Sequence, residues 1–420
     1  MKMYLRAIVA AFASAFVVTA VEAQPDPENA RQFKTAGIDT KAPGVPQAGN
    51  NAAAIKEVLK RIKLPPGFRI ELFALAPAAR QMAVDSKSNA VFVGTRRSTV
   101  WVVADHKGTG VAADVRPFAP EVRFADPNGV CLTRDGVLIV AERNQVLSFR
   151  AERSLVDGSD VMVSEVVPRG HLVPVEEETS SHGARVCRVG PDRMLYIALG
   201  QPYNVPPRDK LALYSKWGIG GIVRMDADDG SKREVYATGI RNCVGLDFNP
   251  KDNTLWFTDN QTDGMGDTIP PGVVHRATKP GQFFGYPWKQ GRIRITEFGY
   301  DKDPLPESIV APQVEMDAHA ADLGMVFYNA EQFPSKYQGG FFSAQHGSWN
   351  RSKPIGARVM FTSVKADGTA DKTEVFAAGW LDEATGKYLG RPVDVAVLND
   401  GSLVVSDDFA GALYRISYRP

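Results

Sequence analysis

The sequence predicts an all-β protein, a six-bladed β-propeller with four antiparallel strands per blade, and three observations lead there. Beyond Gly67, short β-branched and aromatic runs alternate with Gly, Asp, Asn and Pro turns, and few stretches have helical periodicity. A weak motif then recurs: a polar entry, an apolar alternating strand, a polar turn and a second apolar strand. Repeats too short to bury their own faces must stack, which is the logic of a propeller blade. Finally, "GFRIELFA" (Gly67–Ala74) resembles a fourth strand but precedes the first repeat. It is expected to pair with "GALYRISY" near the C-terminus and close the ring without an open edge. A pair of β-sandwiches would also show many short strands, but the regular polar entries favour a ring.

Taken in order, Met1–Ala23 has Lys2 and Arg6 ahead of an apolar run and ends in "VEAQ", which reads as a cleaved signal peptide and an exported, periplasmic or secreted product. No later run is long enough for a stable membrane span. Residues 24–63 read as a linker with a candidate short helix over Ala52–Ile62, stopped by Pro65 and Pro66. Residues 64–420 form the propeller. Its repeats begin at Gln81, Asn128, Ala184, Cys243, Leu323 and Pro392. Fourth-strand runs follow, among them "VRPFA", "VMVSEVV", "REVYATG" and "TEVFAAG".

Composition excludes some partners. The 420 residues are 23% charged with a formal net charge of +1, so no global field attracts nucleic acid. Cys131, Cys187 and Cys243 are the three cysteines, so at least one is unpaired. Their spacing lacks CxxC, and they read as small buried residues within strands.

The innermost strands of a propeller run in one direction beside the axis, so the residues entering them converge at one mouth. Those entries are Arg80 with Gln81, Asn128, His182, Arg241 with Asn242, His319 with Asp322, and Arg391 with Asp394. Asn128 before Gly129 is also good turn chemistry. Arg241 and Arg391 aimed into one mouth would clamp carboxylates or phosphates, unless they pair with local carboxylates such as Asp394. A neutral His182 beside them would accept a proton transiently.

Two loops add chemistry. "TDNQTDGMGD" (Thr258–Asp267) sets Asp259, Asp263 and Asp267 in a glycine-rich loop of the kind that suits calcium, or makes a plain turn. "AQHGSWNRSKP" (Ala344–Pro354) carries His346, Trp349, Arg351 and Lys353 and reads as a ligand lid. P-loop, Rossmann, GxSxG and HExxH motifs do not occur.

"LPPGFRIELFA", "GIRNCVGLDFNP", "LWFTDN", "FGYP", "HGSWNRS" and "DGSLVVSDD" together resemble the glucose/sorbosone dehydrogenase family of sugar dehydrogenases that use pyrroloquinoline quinone. The resemblance runs from about Leu64 to the C-terminus. It implies a quinone held in the mouth beside a calcium ion, and oxidation of a sugar by hydride transfer. It makes His182 the catalytic base and Arg241, Asn242 and Arg391 cofactor contacts, to which the mouth residues Asn128, His346, Trp349 and Arg351 are added. Calcium ligands would come from Asn260, Gln261 and Thr262, with Asp259 alongside.

The chain departs from that pattern at Gln201, where a carboxylate orients the histidine in the family, and at Val393, where a second basic residue stands. Val274 and His275 replace a more acidic run. The expected partners are a small sugar and an exported electron acceptor such as a cytochrome. A calcium-dependent lactonase and a non-catalytic propeller that binds carbohydrate or protein are the competing readings.

Overall fold

The alternating runs become strands where the pattern puts them. The computed structural model describes residues 34–35 and 43–420 other than 153, 157–160 and 297. Six sheets contain the repeats, antiparallel except where Gln282–Phe283 adds in parallel to the outer strand of the third. Their innermost strands are Ala79–Val84, Gly129–Leu132, Val186–Val189, Leu246–Phe248, Asp322–Phe327 and Pro392–Val397, and define blades 1 to 6. Each packs against the innermost strands of its neighbours, closing a ring. The chain is a six-bladed β-propeller. Phe68–Leu75 pairs antiparallel with Ala412–Tyr418, Phe68 opposite Tyr418, and so completes blade 6.

The blades hold together through apolar layers between their faces. Phe92, Phe118 and Phe149 interlock edge to face between blades 1 and 2, with centroids 5.3 and 5.0 Å apart. Phe68, Phe333, Tyr337, Phe342 and Phe376 do the same at the closure. Each such buried ring contributes roughly 1.5–3 kcal/mol. Towards the axis the innermost strands meet too closely for side chains. A Cβ on Gly245 would lie 2.1 Å from the Leu323 carbonyl oxygen, and one on Gly324 would lie 1.9 Å from Asp394 Oδ1.

Several polar entries turn out to pin blades together. Gln81 donates to the Cys187 carbonyl at 2.9 Å and accepts from the Val130 and Cys187 amides, both at 3.2 Å. Asp394 accepts the Met82 amide at 2.8 Å. Burial raises the Asp394 carboxyl to about 6. A disulfide joins Cys131 to Cys187 across blades 2 and 3, where the sequence suggested only buried strand residues, while Cys243 is free and buried. The two strands are neighbours only because the ring stacks them side by side.

The N-terminal segment departs from the expected linker over its described part. The helix is Asn50–Leu59, beginning and ending earlier than the apolar pattern suggested, and it buries Ala52, Ile55 and Leu59. It stops where Lys63 turns away to exchange backbone hydrogen bonds with Ala378 at 2.7 and 3.2 Å. Ahead of the helix, Gln47 bonds both the amide and the carbonyl of Leu75, at 2.7 and 3.0 Å. These partners exist only once the ring has closed, so composition could not reveal them. The signal-peptide segment lies outside the described residues. Among the described residues no helix is long and apolar enough to cross a membrane.

Candidate functional site

The loops that enter the innermost strands surround a cavity of about 260 Å³ at one end of the axis. Arg80, His182, Arg241, Asn242, His319 and His346 all line it, from blades 1, 3, 4, 5 and the connection after the second strand of blade 5.

His182 is half-buried on a turn just before the blade 3 strand, with its backbone in the left-handed region at φ 49. Gly200 makes room for that turn, since a Cβ there would lie 2.7 Å from the His182 carbonyl oxygen. Buried Arg185 holds the turn, donating to the His182 and Arg143 carbonyls at 3.4 and 2.9 Å. His182 Nδ1 lies 2.7 Å from the Gln201 carbonyl oxygen, which fixes the tautomer: Nδ1 carries the proton and Nε2 keeps its lone pair. Position 201 therefore orients the imidazole through its backbone, so the absence of a carboxylate side chain leaves the tautomer in place. Burial, then the charges of Arg241 and Arg96, lower the His182 pKa to about 4 against one raising contribution from the Gln201 hydrogen bond. At neutral pH it is an uncharged base.

Arg241 is more firmly held than an open clamp would be. Its guanidinium donates to the Asn204 carbonyl and side chain at 2.9 and 2.7 Å, to the Asn260 carbonyl at 3.2 Å and to Asp263 at 2.8 Å. The local carboxylate is Asp263, not Asp394. Asn242 faces the cavity with its side-chain amide unpartnered among the described residues, while its backbone amide bonds Asp259 at 2.8 Å. Arg391 points elsewhere: it donates to the His346 and Gly347 carbonyls at 3.0 and 2.8 Å, lies over the Tyr388 ring, and does not line the cavity. Asn128 is buried below the floor, bridging Arg80 at 2.7 Å and the Arg185 carbonyl at 2.6 Å. Val393 is part of the core between blades.

The loop considered for calcium is mostly structural. Buried Asp259 caps the backbone amides of Arg241 and Asn242, and burial raises its carboxyl to about 6. Thr262 is engaged through both its amide and its hydroxyl with Gln290. Asn260 lends its side chain to the carbonyls of Asn242 and Asp322 at 3.2 and 2.9 Å. Gln261 differs, because its Oε1 is buried without a partner in the cavity wall. Asp267 ties down Ser352 and is no part of the mouth. Among the described residues no cluster of three His, Cys, Asp or Glu is placed to hold a metal.

The connection between the second and third strands of blade 5 does cover the mouth. His346 bonds Asp408 at 2.8 Å, and the other oxygen of Asp408 pairs with Arg80. Asn350 donates to Asp263 at 3.0 Å, leaving Trp349 at the rim with 75% of its surface exposed. Arg351 turns outwards to the carbonyls of Asp267 and Ala318. His275 lies far from this chemistry, buried against Phe257 and Phe284 and held neutral by burial.

Sequence reasoning missed Arg96 and Asp408. Arg96 lies in the "TRRST" hairpin turn of blade 1, and its guanidinium donates to the Ser180 carbonyl at 2.8 Å, two residues before His182. Its nearest carboxylate, Asp126, is 3.9 Å away and already bonded by Arg143 at 3.2 Å. The register held a signal, because turns between second and third strands lie at the same end as the polar entries.

Fold and mouth together define a β-propeller whose axial cavity combines cationic side chains with an uncharged histidine base, suited to an anionic ligand and to proton abstraction. The sequence model of the Glucose / Sorbosone dehydrogenase family matches residues 165–415. The chain belongs to this family, whose members are sugar-dehydrogenase-like oxidoreductases.

An uncharacterised protein of Borreliella burgdorferi is 27% identical over 370 residues, covering 87% of this chain and 93% of that one. The aldose sugar dehydrogenase YliI of Escherichia coli is 28% identical over 249 residues, 54% of this chain and 57% of that one. The holo pyranose dehydrogenase PQQ domain of Coprinopsis cinerea shares the fold, with a TM-score of 0.66 at 16% identity over 90% of this chain and 99% of that one.

Proposed function

We propose that this protein is a pyrroloquinoline quinone-dependent dehydrogenase that oxidises an aldose or a related sugar aldehyde or alcohol. The observation that carries the reading is His182: an uncharged imidazole, fixed through Nδ1, with a free Nε2 in the cavity lined by Arg80, Arg96 and Arg241. Family membership and the names of YliI and the pyranose dehydrogenase domain support the same substrate class.

The residues fit a tricarboxylated quinone. Arg80 and Arg241 are neutralised by Asp408 and Asp263, Arg96 is not fully compensated, and the Asn242 amide is open. These four would hold it. When bound, the quinone supplies the hydride acceptor. His182 Nε2 takes the hydroxyl proton of the sugar, and the Gln201 carbonyl keeps the imidazole aimed while it does so. Among the described residues that line the cavity, only two buried side-chain oxygens lack a partner, Gln261 Oε1 and Asn350 Oδ1, so no step is assigned to calcium. The lactonase reading needs several carboxylates on a metal, whereas Asp263 and Asp408 are committed to arginine.

Export agrees with the Cys131–Cys187 disulfide, which persists in an oxidising compartment.

The test is dye reduction by the quinone-loaded protein across a panel of aldoses, beside His182→Ala. We expect kcat to fall by about 10²–10⁴-fold, the usual worth of a positioned base, with quinone affinity retained. Undiminished turnover in the variant would remove His182 from the reaction. Failure of the wild-type protein to bind the quinone would remove the cofactor.

A further inference from the structure

Beside the mouth, on the other side of the loop that carries Trp349, runs a wider groove of about 760 Å³. One wall is the N-terminal segment with Arg61 and Lys63, fastened to blade 5 by the backbone pairing of Lys63 with Ala378. The opposite wall is the loop itself, with Arg351 and Lys353. Arg358 lies in the floor, and the small hairpin Leu381–Asp382 with Lys387–Tyr388 contributes the only carboxylates of the lining, Asp382 and Glu383.

The charges do not cancel. Asp382 is 3.4 Å from Arg61, and Arg358 pairs with Asp317, so those two cations are compensated. Exposed Lys63 and Lys353 have no ion-pair partner among the described residues, and Arg351 is held by carbonyl oxygens. Within the lining Glu383 alone stands against these three, and outside it the Asp267 carboxylate lies near Arg351, which leaves the two lysines as the uncompensated charges. In a chain whose formal net charge is only +1, this is a local concentration of positive charge.

The groove is also joined to the site. The loop has a narrow neck: the Ser348 amide bonds the Ile355 carbonyl at 3.0 Å, and the Ile355 amide bonds Ser348 Oγ at 3.1 Å. Its inner side presents His346 and Asn350 to the mouth, and its outer side presents Arg351 and Lys353 to the groove. Trp349 stands at the rim with its indole in solvent. An exposed tryptophan beside arginine and lysine is the composition of an interface hot spot.

We propose that this groove docks an acidic redox protein that receives the electrons leaving the mouth. The inference rests on the dehydrogenase reading above. Oxidation of one C–H and O–H pair yields two electrons and two protons; the electrons reduce two ferric haem proteins in succession, and the protons go to solvent. Complementary charge at the groove steers that encounter, raises its rate and makes it sensitive to salt.

The test uses two probes that differ in charge alone: native, basic ferricytochrome c and the same protein made acidic by succinylation. The variant is Lys63→Glu with Lys353→Glu, both exposed and outside the catalytic mouth, with Lys63→Gln/Lys353→Gln as a milder control. We expect the quinone-loaded wild-type protein to reduce the acidic probe faster than the basic one. The charge-reversed variant should lose roughly tenfold or more in second-order rate towards the acidic probe, with unchanged dye turnover.

An acidic-probe rate that stays within about twofold of wild type would overturn the proposal, since steering through these lysines predicts far more. Fluorescence anisotropy of the labelled acidic probe on the quinone-free protein reads docking without turnover. Salt-sensitive binding lost in the charge-reversed variant supports the groove even where dye turnover fails and the dehydrogenase reading falls. Equal binding by both proteins sinks the proposal, as does salt-sensitive capture of phosphatidylglycerol vesicles without capture of the acidic probe.

Discussion

The two walls of the mouth use arginine in opposite ways. On the blade 4 wall, Arg241 is buried and donates to Asn204, Asn260 and Asp263, so most of its hydrogen-bonding capacity belongs to the protein. On the wall formed by blades 1 and 3, Arg96 makes one hydrogen bond, to the turn carrying His182, and lies 3.9 Å from a carboxylate it shares with Arg143. The first arginine builds the site and the second stays open to a ligand. Convergence on a mouth thus says little about availability, because a guanidinium has five donors and loops with free carbonyls compete for them.

That contrast can be broken from either side, and the largest effect lies beneath the open wall. The His182 turn leads into the strand that Cys187 ties to Cys131 over a sequence separation of 56 residues. By chain entropy, closing such a loop is worth about 4 kcal/mol. Cys131→Ala with Cys187→Ala is expected to lower the denaturation midpoint accordingly; an unchanged midpoint would mean that the ring holds these strands without the link.

Arg241→Met comes next. It leaves Asp263 without its cation and frees the Asn204 and Asn260 carbonyls, so it should destabilise by about 3 kcal/mol, at the low end for a broken buried pair because Asp263 is partly exposed. Thermal unfolding with the quinone absent reads this directly. Stability equal to wild type would show that the wall does not depend on its arginine.

Arg96→Gln should give the smallest effect on stability and a diagnostic one on pH. Arg96 is one of the two charges that depress His182, so its removal raises the histidine pKa from about 4 towards its ordinary value. Activity requires the neutral imidazole and is lost as pH falls through that pKa. The acid limb of kcat/KM is therefore expected to move to higher pH in the variant. A limb that stays in place would indicate that the titrating base is not His182.

Much of the architecture was legible because periodicity and repetition are local properties. The runs "VMVSEVV" and "TEVFAAG" fall within Met162–Val167 and Ala370–Ala378 or one residue beyond them, since alternation with a polar turn at each end leaves little choice of register. The identity of the entries was equally legible: Arg80, His182, Arg241 and Asn242 do meet at the cavity. Their division of labour was not. Gln81, Asn128 and Asp394 read like Arg80 and Arg241 in sequence, yet they are sealed between inner strands as pins.

By itself, then, the sequence determined the six repeats, the closing strand and the entries Arg80, His182, Arg241 and Asn242 that stand at the mouth. Only the tertiary structure decided that Arg391 turns away, that Arg96 and Asp408 belong to the site, that Gln201 works through its carbonyl, and that the segment after the N-terminal helix walls a groove. Strand register depends on neighbours one or two residues apart, whereas the direction of a long polar side chain is fixed by hydrogen-bond partners dozens or hundreds of residues away. Those partners come within reach only after the ring has closed.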